Sequence, residues 1–353
     1  MSVSFRKFLY YSVALIVGTY FLFKGIVAAM VFLGPFVTAV ILALLLLSLS
    51  NKFESWGLGR AISSFLCTFV VFLVSLIFFA LVAFQINTIV KDWDKIRETM
   101  LPKIEQLTQN VTQSTSISQE EINTLKNKSK LKTVVSQGGN KAMSFVQSFI
   151  SFLGNYILVF IYLFFLLRYR RMFKVFILKL TSTEDHAQVR DILDKSSTVA
   201  QEYLMGRLIL ISLLAVLYSI GLGVSGVSNF IIVSLLAAFF TLIPYLGNVI
   251  GIVLAILFGY VTTGDMNVLI GVLITFTVVQ FVESYVLTPF IIGDRVDVHP
   301  LFIIIIVIIG NLTAGILGMV LAIPVLGIIN VICSHVPLLQ PVGYLLSQNE
   351  DDS

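Results

Sequence analysis

The sequence predicts an all-α, polytopic membrane protein. Three observations carry that prediction. Hydrophobic residues make up 58% of the 353 residues and charged residues only 12%, about half the charged share of a soluble domain. Mean hydropathy is +0.98, which is more apolar surface than a soluble interior can hold, so the excess must face lipid. The apolar residues also fall in long runs, with the charges bunched between them. A net charge of +4 arranged in bunches fits positive-inside topology and argues against nucleic acid as a partner. Cys67 and Cys333 both sit inside apolar runs. They exclude a disulfide framework and are too few for a thiolate metal site.

The first apolar block runs from Phe8 to Leu49, too long for one span of about 20 residues. A hairpin is expected there, turning at Gly34-Pro35 or alternatively at Lys24-Gly25, because proline is disfavoured inside a helix and restricts the residue before it. Arg6-Lys7 precede the block, and a second apolar run follows Lys24. The start therefore reads as a retained membrane helix and not as a cleaved signal. A third helix is expected from near Ala61 to about Val90. From Lys91 to Lys141 the composition turns polar. Ile89, Trp93, Ile96, Met100, Ile104, Leu107 and Val111 are spaced 4, 3, 4, 4, 3, 4, a heptad stripe that packs either on a second helix of the same region or on another subunit.

A fourth membrane helix is expected from about Phe145 to Leu167, ending in Arg168, Arg170, Arg171, Lys174 and Lys179. That cluster places its end in the cytoplasm. Thr181 with Glu184 is a candidate capping box for an amphipathic helix carrying Val189, Ile192, Leu193, Val199 and Tyr203. The last third is almost continuously apolar. Leu208 to Gly223 reads as one helix, Phe230 to Tyr260 as a stretch broken at Pro244 and Gly247, and Val268 to Ile292 as a helix carrying polar residues. Leu301 to Ile332 is a second long stretch, broken by Gly310, Asn311, Gly315 and Gly318.

These readings divide the chain into N-terminal scaffold helices (1–90), an extracytoplasmic helical region (91–141) and a fourth membrane helix (142–167). A cytoplasmic linker with an amphipathic helix (168–207), a repeat-containing transport region (208–335) and a cytoplasmic tail (336–353) follow. Gly251-Ile-Val-Leu-Ala-Ile256 matches Gly318-Met-Val-Leu-Ala-Ile323 at all but one position, and each hexapeptide follows a Gly-Asn break. The two broken stretches are either long tilted spans or re-entrant helical hairpins. Hairpins place the Arg295 loop inside and the Asp265 loop, which has no basic residue, outside. Charge and repeat then agree, and an inverted repeat with broken helices is a transporter design.

Glu283 is the first candidate site residue, a carboxylate well inside an apolar helix. Such a group costs at least about 3 kcal/mol in a bilayer and tends to face a cavity or a partner. Thr277, Gln280, Ser284 and Thr288 lie within two turns of it, and the expectation is that this face lines a polar path. The alternative is hydrogen bonding between helices. A buried carboxylate also suits proton coupling. The breaks are the second candidates: Pro244, Gly247 and Asn248 in one, and Gly310, Asn311, Thr313, Gly315 and Gly318 in the other. Unwound backbone offers carbonyls and N–H groups to an ion or polar solute, or merely lets helices kink and pack. The third is the loop of Asp294, Arg295, Asp297 and His299, read as a salt-bridged loop or a gate. Enzyme signatures are missing: no Gly-Lys pair for a P-loop and no His-Glu-x-x-His. No cofactor and no metal are expected.

Tyr203-Leu-Met-Gly-Arg207, Ile243-Pro-Tyr-Leu-Gly247, Pro289-Phe-Ile-Ile-Gly293 with His299-Pro300, and the run from Gly310 to Pro324 together resemble the autoinducer-2 exporter family of bacterial inner-membrane proteins. In this chain Asn248 follows the Pro-Tyr-x-Gly motif, where the family pattern often has proline. The resemblance implies a permease of about eight membrane segments, inverted repeats with re-entrant elements, and a homo-oligomer, with a pentamer suggested. It further implies an inner-membrane location with both termini cytoplasmic and an elevator-like motion against an oligomerising scaffold. Quorum-signal export, or sodium or lithium exchange for protons, would be its activity. The expected partners are the bilayer and a small polar solute or monovalent cation. A membrane scaffold or sensor working through the heptad stripe is the reading outside transport.

Overall fold

The computed structural model describes residues 3–91, 98, 156–244, 246–293 and 297–348. Among these, the regular elements are all helical. They are α1 (Val3–Ser55), α2 (Arg60–Lys91), α3 (156–179), α4 (His186–Val224), α5 (Phe230–Phe240), α6 (Leu246–Ile256), α7 (Met266–Val282), α8 (Pro300–His335) and α9 (Gln340–Leu346). A π-helical turn extends α6 over Leu257–Val261. Another extends α7 over Glu283–Leu287, with one α-turn after it, Thr288–Ile291. Five stretches are long and apolar enough to cross a membrane: Val27–Ser55, Arg60–Thr88, His186–Val224, Met266–Ile291 and Pro300–His335.

Three expectations need correction. The hairpin in the first apolar block is not formed: α1 is one helix of 53 residues with Pro35 inside it. A proline removes one hydrogen bond and costs about 3 kcal/mol, which a helix with so many remaining bonds absorbs. Its apolar windows still separate near Lys24, into Tyr10–Leu22 and Val27–Ser55. Second, α3 does not end at Leu167 but carries the basic cluster inside it. Its basic residues are partnered, so nothing forces the helix to stop. Arg170 reaches Glu54 at 2.9 Å, Ser50 at 2.8 Å and Asn51 at 2.6 Å, and Lys174 pairs with Asp194 at 2.7 Å. Third, the linker helix and the expected fifth membrane helix are one helix, α4, and the Thr181–Glu184 capping box is not made. The Thr181 hydroxyl turns back to the Leu178 carbonyl, and the first backbone bond into α4 runs from Val189 to Asp185.

α2 occupies the place of the expected third helix to within a residue at each end. The heptad stripe from Trp93 onward, the polar region beyond Lys91 apart from Glu98, and the first part of the expected fourth helix lie outside the described residues.

The chain divides into two compact units. Among the described residues the first holds α1, α2 to Phe69, α3, α4 to Gly206, and everything from Ile292. Here α8 is a helical hairpin. Gly310 and Gly318 would stand about 12 Å apart along a continuous helix. Instead, a Cβ on Gly310 would come 2.4 Å from the Gly318 carbonyl oxygen. The reversal is made by Ala314 (φ −129°) and Gly315 (φ 59°), the latter in the left-handed region that glycine tolerates. Arms 300–313 and 316–335 result. The chain after α8 packs back on it: the His299 N–H donates to the Leu346 carbonyl at 2.8 Å. Val298, Leu326 and Leu346 are buried together against Phe302, Ile303 and Ile306.

The second unit holds α2 from Val70, α4 from Arg207, and α5–α7. α5 and α6 pack against each other as the other hairpin. A Cβ on Gly247 would come 2.0 Å from the Phe240 carbonyl oxygen, and one on Gly251 3.0 Å from the Ala237 Cβ. α4 buries Leu210, Leu214, Tyr218 and Leu222 on one face. Gly221 brings it against Thr275 of α7. Both broken stretches therefore fold as helical hairpins.

Candidate functional site

The second unit gathers a polar cluster at the turn of the α5–α6 hairpin. Asn248 stands in the first turn of α6, delivered there by the close approach of Gly247 to Phe240. Its Nδ2 donates to Gln280 Oε1 of α7, and Gln280 Nε2 donates to the Ser284 hydroxyl at 3.0 Å. From α4 the Tyr218 hydroxyl donates to Asn248 Oδ1 at 3.5 Å, and its ring packs on Phe276. Arg207 donates to the Thr241 carbonyl at the end of α5, where the broken helix leaves carbonyls without an intrahelical partner.

Glu283 opens the π-helical turn of α7. The Thr288 N–H bonds to the Glu283 carbonyl, five residues back. Pro289 explains the widened turn, since it has no N–H and its ring crowds the carbonyl four residues before it. The Glu283 side chain is 7% exposed. It faces Asn248 and lies within electrostatic reach of Arg207 and Tyr218. Its Oε2 has no hydrogen-bond partner. A buried acceptor without a donor is costly, so this oxygen is where a solute hydroxyl, a cation or a proton would be held. The neighbouring amides and hydroxyls offer both donors and acceptors.

Gln280, Glu283, Ser284 and Asn248 are thus brought together, as the helical spacing and the break suggested. Thr277 is not: it is exposed and its hydroxyl bonds to the Leu273 carbonyl of its own helix. Pro244 and Gly247 build the hairpin turn, with the Pro244 carbonyl accepting from Leu246. The remaining candidates are in the first unit. Gly310, Gly315 and Gly318 shape the α8 hairpin. Asn311 is exposed near its turn, and the Thr313 hydroxyl is satisfied by the Ile309 and Gly310 carbonyls.

Of the loop candidates, Asp294 and Arg295 lie outside the described residues. His299 caps α8 by accepting from the Leu301 N–H. Asp297 accepts from the Gln348 N–H through its side chain and from Asn330 through its carbonyl. These bonds fasten the loop to the C-terminal segment. Among the described residues, no three His, Cys, Asp or Glu side chains gather as a metal site.

Sequence reasoning missed Tyr218, the placement of Arg207 and the π turn. Tyr218 is a lone phenol on an apolar face and reads as core. Arg207 ends a motif but reads as a topology charge. The π turn has only Pro289 as a signal.

A family model described as AI-2E family transporter matches residues 9–337, nearly the whole chain. Two similar proteins of Bacillus subtilis (strain 168) bear the names "Putative transport protein YrrI" and "Putative transport protein YueF". The first is 34% identical over 38% of this chain and 37% of its own, the second 31% identical over 38% and 36%. A "Putative transport protein" of Borreliella burgdorferi is 23% identical over 57% of this chain and 56% of its own. The chain therefore matches little more than a third of the length of the Bacillus relatives.

Proposed function

The chain belongs to the AI-2E transporter family, and on that premise we propose that it is a secondary transporter exporting a small polar solute such as autoinducer-2. The observation that carries this reading is the free Oε2 of Glu283, buried beside a hairpin turn. Polar residues between membrane helices commonly serve as glue, and the Asn248–Gln280–Ser284 chain does so. Glu283 Oε2 takes no part in those bonds, so gluing the helices does not account for it. A hydroxyl-bearing solute would donate to it and find further partners on Gln280 and Ser284. The two hairpins would act as oppositely oriented repeats, carried by a scaffold that includes α1 and α2. On this reading the chain resides in the bacterial inner membrane as a homo-oligomer with both termini cytoplasmic. External labelling of single cysteines at 265 but not at 295 is the expected topology result, and the reverse would defeat the inverted arrangement.

The same free carboxylate oxygen favours a second reading, sodium or lithium exchange for protons, because a carboxylate is a hard-cation ligand and a proton carrier. Reconstituted vesicles separate the two. Autoinducer-2, sodium, lithium and proton fluxes are measured for wild type and Glu283→Gln, with assembly checked by size. Solute export predicts autoinducer-2 movement that the variant loses, without cation flux. Antiport predicts pH-dependent cation flux that the variant loses. Glu283→Gln moving its substrate at the wild-type rate would remove this site from the mechanism. A wild type that moves none of the four would leave the scaffold reading standing.

A further inference from the structure

Gln85 is the other polar group of the second unit that the fold leaves without a partner. It is 2% exposed, and neither its Oε1 nor its Nε2 has a hydrogen-bond partner. It lies on α2 in the sequence Leu-Val-Ala-Phe-Gln-Ile-Asn, four turns or more from the polar end of that helix in one direction and within two turns of Lys91 in the other. A buried amide with both ends unmet is the least comfortable neutral side chain a core can hold. The buried Ser234 hydroxyl is also without a partner, but a serine can turn to the carbonyl four residues back in its own helix. A glutamine has no such outlet, so its partner must come from outside the chain.

The placement of Gln85 indicates where that partner sits. Phe78, Val82 and Gln85 follow one another at i, i+4 and i+7 and share one face of α2. Phe78 stacks on Phe239, at the end of α5 where the hairpin turns, and Val82 is buried. Gln85 is therefore on the α2 face that meets the α5–α6 hairpin. Glu283 meets the same hairpin through Asn248 of α6. The two unmet polar side chains, one offering an acceptor and the other a donor with an acceptor, flank a single mobile-type element, the broken helix pair.

We propose that Gln85 is a second contact for the transported polar solute, bonding it through the side-chain amide where α2 faces the α5–α6 hairpin. This rests on the transport reading above and adds to it a residue from outside the repeat region. It also constrains the cargo: it must present a hydrogen-bonding group that one amide can take as donor and acceptor together, as a hydroxyl does, in addition to the group held by Glu283.

The test is Gln85→Met, which keeps length and flexibility and removes both polar ends. Flux is measured in vesicles for whichever of autoinducer-2, sodium or lithium the wild type moves, and thermal unfolding is followed in detergent. The expected result is a half-saturation concentration raised about five- to tenfold, the loss of one hydrogen bond, with an unfolding temperature equal to or above wild type. An unchanged half-saturation concentration overturns the assignment, whether the unfolding temperature rises or falls, because the amide is then only a buried or water-satisfied group. Should Gln85→Met not assemble, Gln85→Asn, which draws the amide back by one methylene, reads the same shift. A wild type that moves none of the three probes removes the transport reading and this assignment with it. Normal flux in both genotypes removes the assignment alone.

Discussion

Replacing Gly247 by alanine tests the hairpin turn that presents Asn248 to Glu283. A Cβ there would come 2.0 Å from the Phe240 carbonyl oxygen, 2.4 Å from its carbon and 2.6 Å from the Thr241 Cα. All three are backbone atoms, so no rotamer change relieves the clash and the arms must separate by more than an ångström. Overpacking of this kind costs about 3 kcal/mol at the upper end of its usual range. Alanine returns about 1 kcal/mol of helix propensity in α6, leaving a net loss of about 2 kcal/mol. At about 2–4 °C per kcal/mol for a chain of this class, the unfolding temperature falls by roughly 4–8 °C. Gly18→Ala in α1 is the matched control: a Cβ there meets nothing within 4 Å, so only propensity acts and the unfolding temperature holds or rises by a few degrees. Thermal unfolding of both variants in the same detergent gives the comparison. Gly247→Ala as stable as Gly18→Ala would mean that the arms do not close at Gly247. The geometric account of how Asn248 reaches Glu283 would then fail.

Three further outcomes follow from the same structure. Asn248→Ala removes the bonds to Gln280 and Tyr218 and should lower stability by about 1 kcal/mol while reducing substrate flux well below wild type, read in vesicles and by unfolding. Arg170→Ala strands Glu54, whose side chain is 17% exposed, and should cost about 2 kcal/mol; Arg170→Lys should recover less than half, since an ammonium cannot fork to Glu54, Ser50 and Asn51 together, again read by unfolding. Gly310→Leu and Gly318→Leu should each prevent the α8 hairpin from closing, and protease accessibility of 300–335 should rise in both but not in Gly18→Leu.

Much of the architecture is written in hydropathy because lipid imposes a simple rule: apolar runs become helices, and irregular backbone appears only where glycine or proline allows it. α2 and α7 were legible to within a residue or two for that reason. α1 was not, because proline raises the energy of a helix without forbidding it, and nothing local distinguishes a tolerated Pro35 from a turn. α3 and α4 were cut short because Arg170 and Lys174 read as solvent-facing ends. Their partners, Glu54 and Asp194, belong to other helices and leave no trace in the local sequence. The site divides the same way. Glu283, Gln280 and Ser284 share one helix, and Asn248 sits at a visible break. Tyr218 enters from α4, and Gln85 from α2. Neither is legible without the packing.

The matching hexapeptides gain a physical meaning that composition alone could not give them. Six apolar residues can coincide by chance. Their first residue does not behave as a chance match: Gly251 opens one and Gly318 the other, and each lies where the returning arm of a hairpin touches the outgoing arm. Gly251 meets Ala237 of α5, and Gly318 meets Gly310 of the first arm of α8. Two stretches that happened to be apolar would have no reason to place their glycine at the same structural point. The closeness differs, however. The Gly318 contact is with backbone at 2.0 Å and the Gly251 contact with a methyl at 3.0 Å, so alanine should be excluded at 318 and nearly tolerated at 251. Unfolding of Gly318→Ala and Gly251→Ala should therefore differ by about 2 kcal/mol, the gap between a backbone clash and a tight methyl contact. Equal losses would show that the two glycines do not serve hairpins of the geometry described, and the hexapeptide match would revert to coincidence.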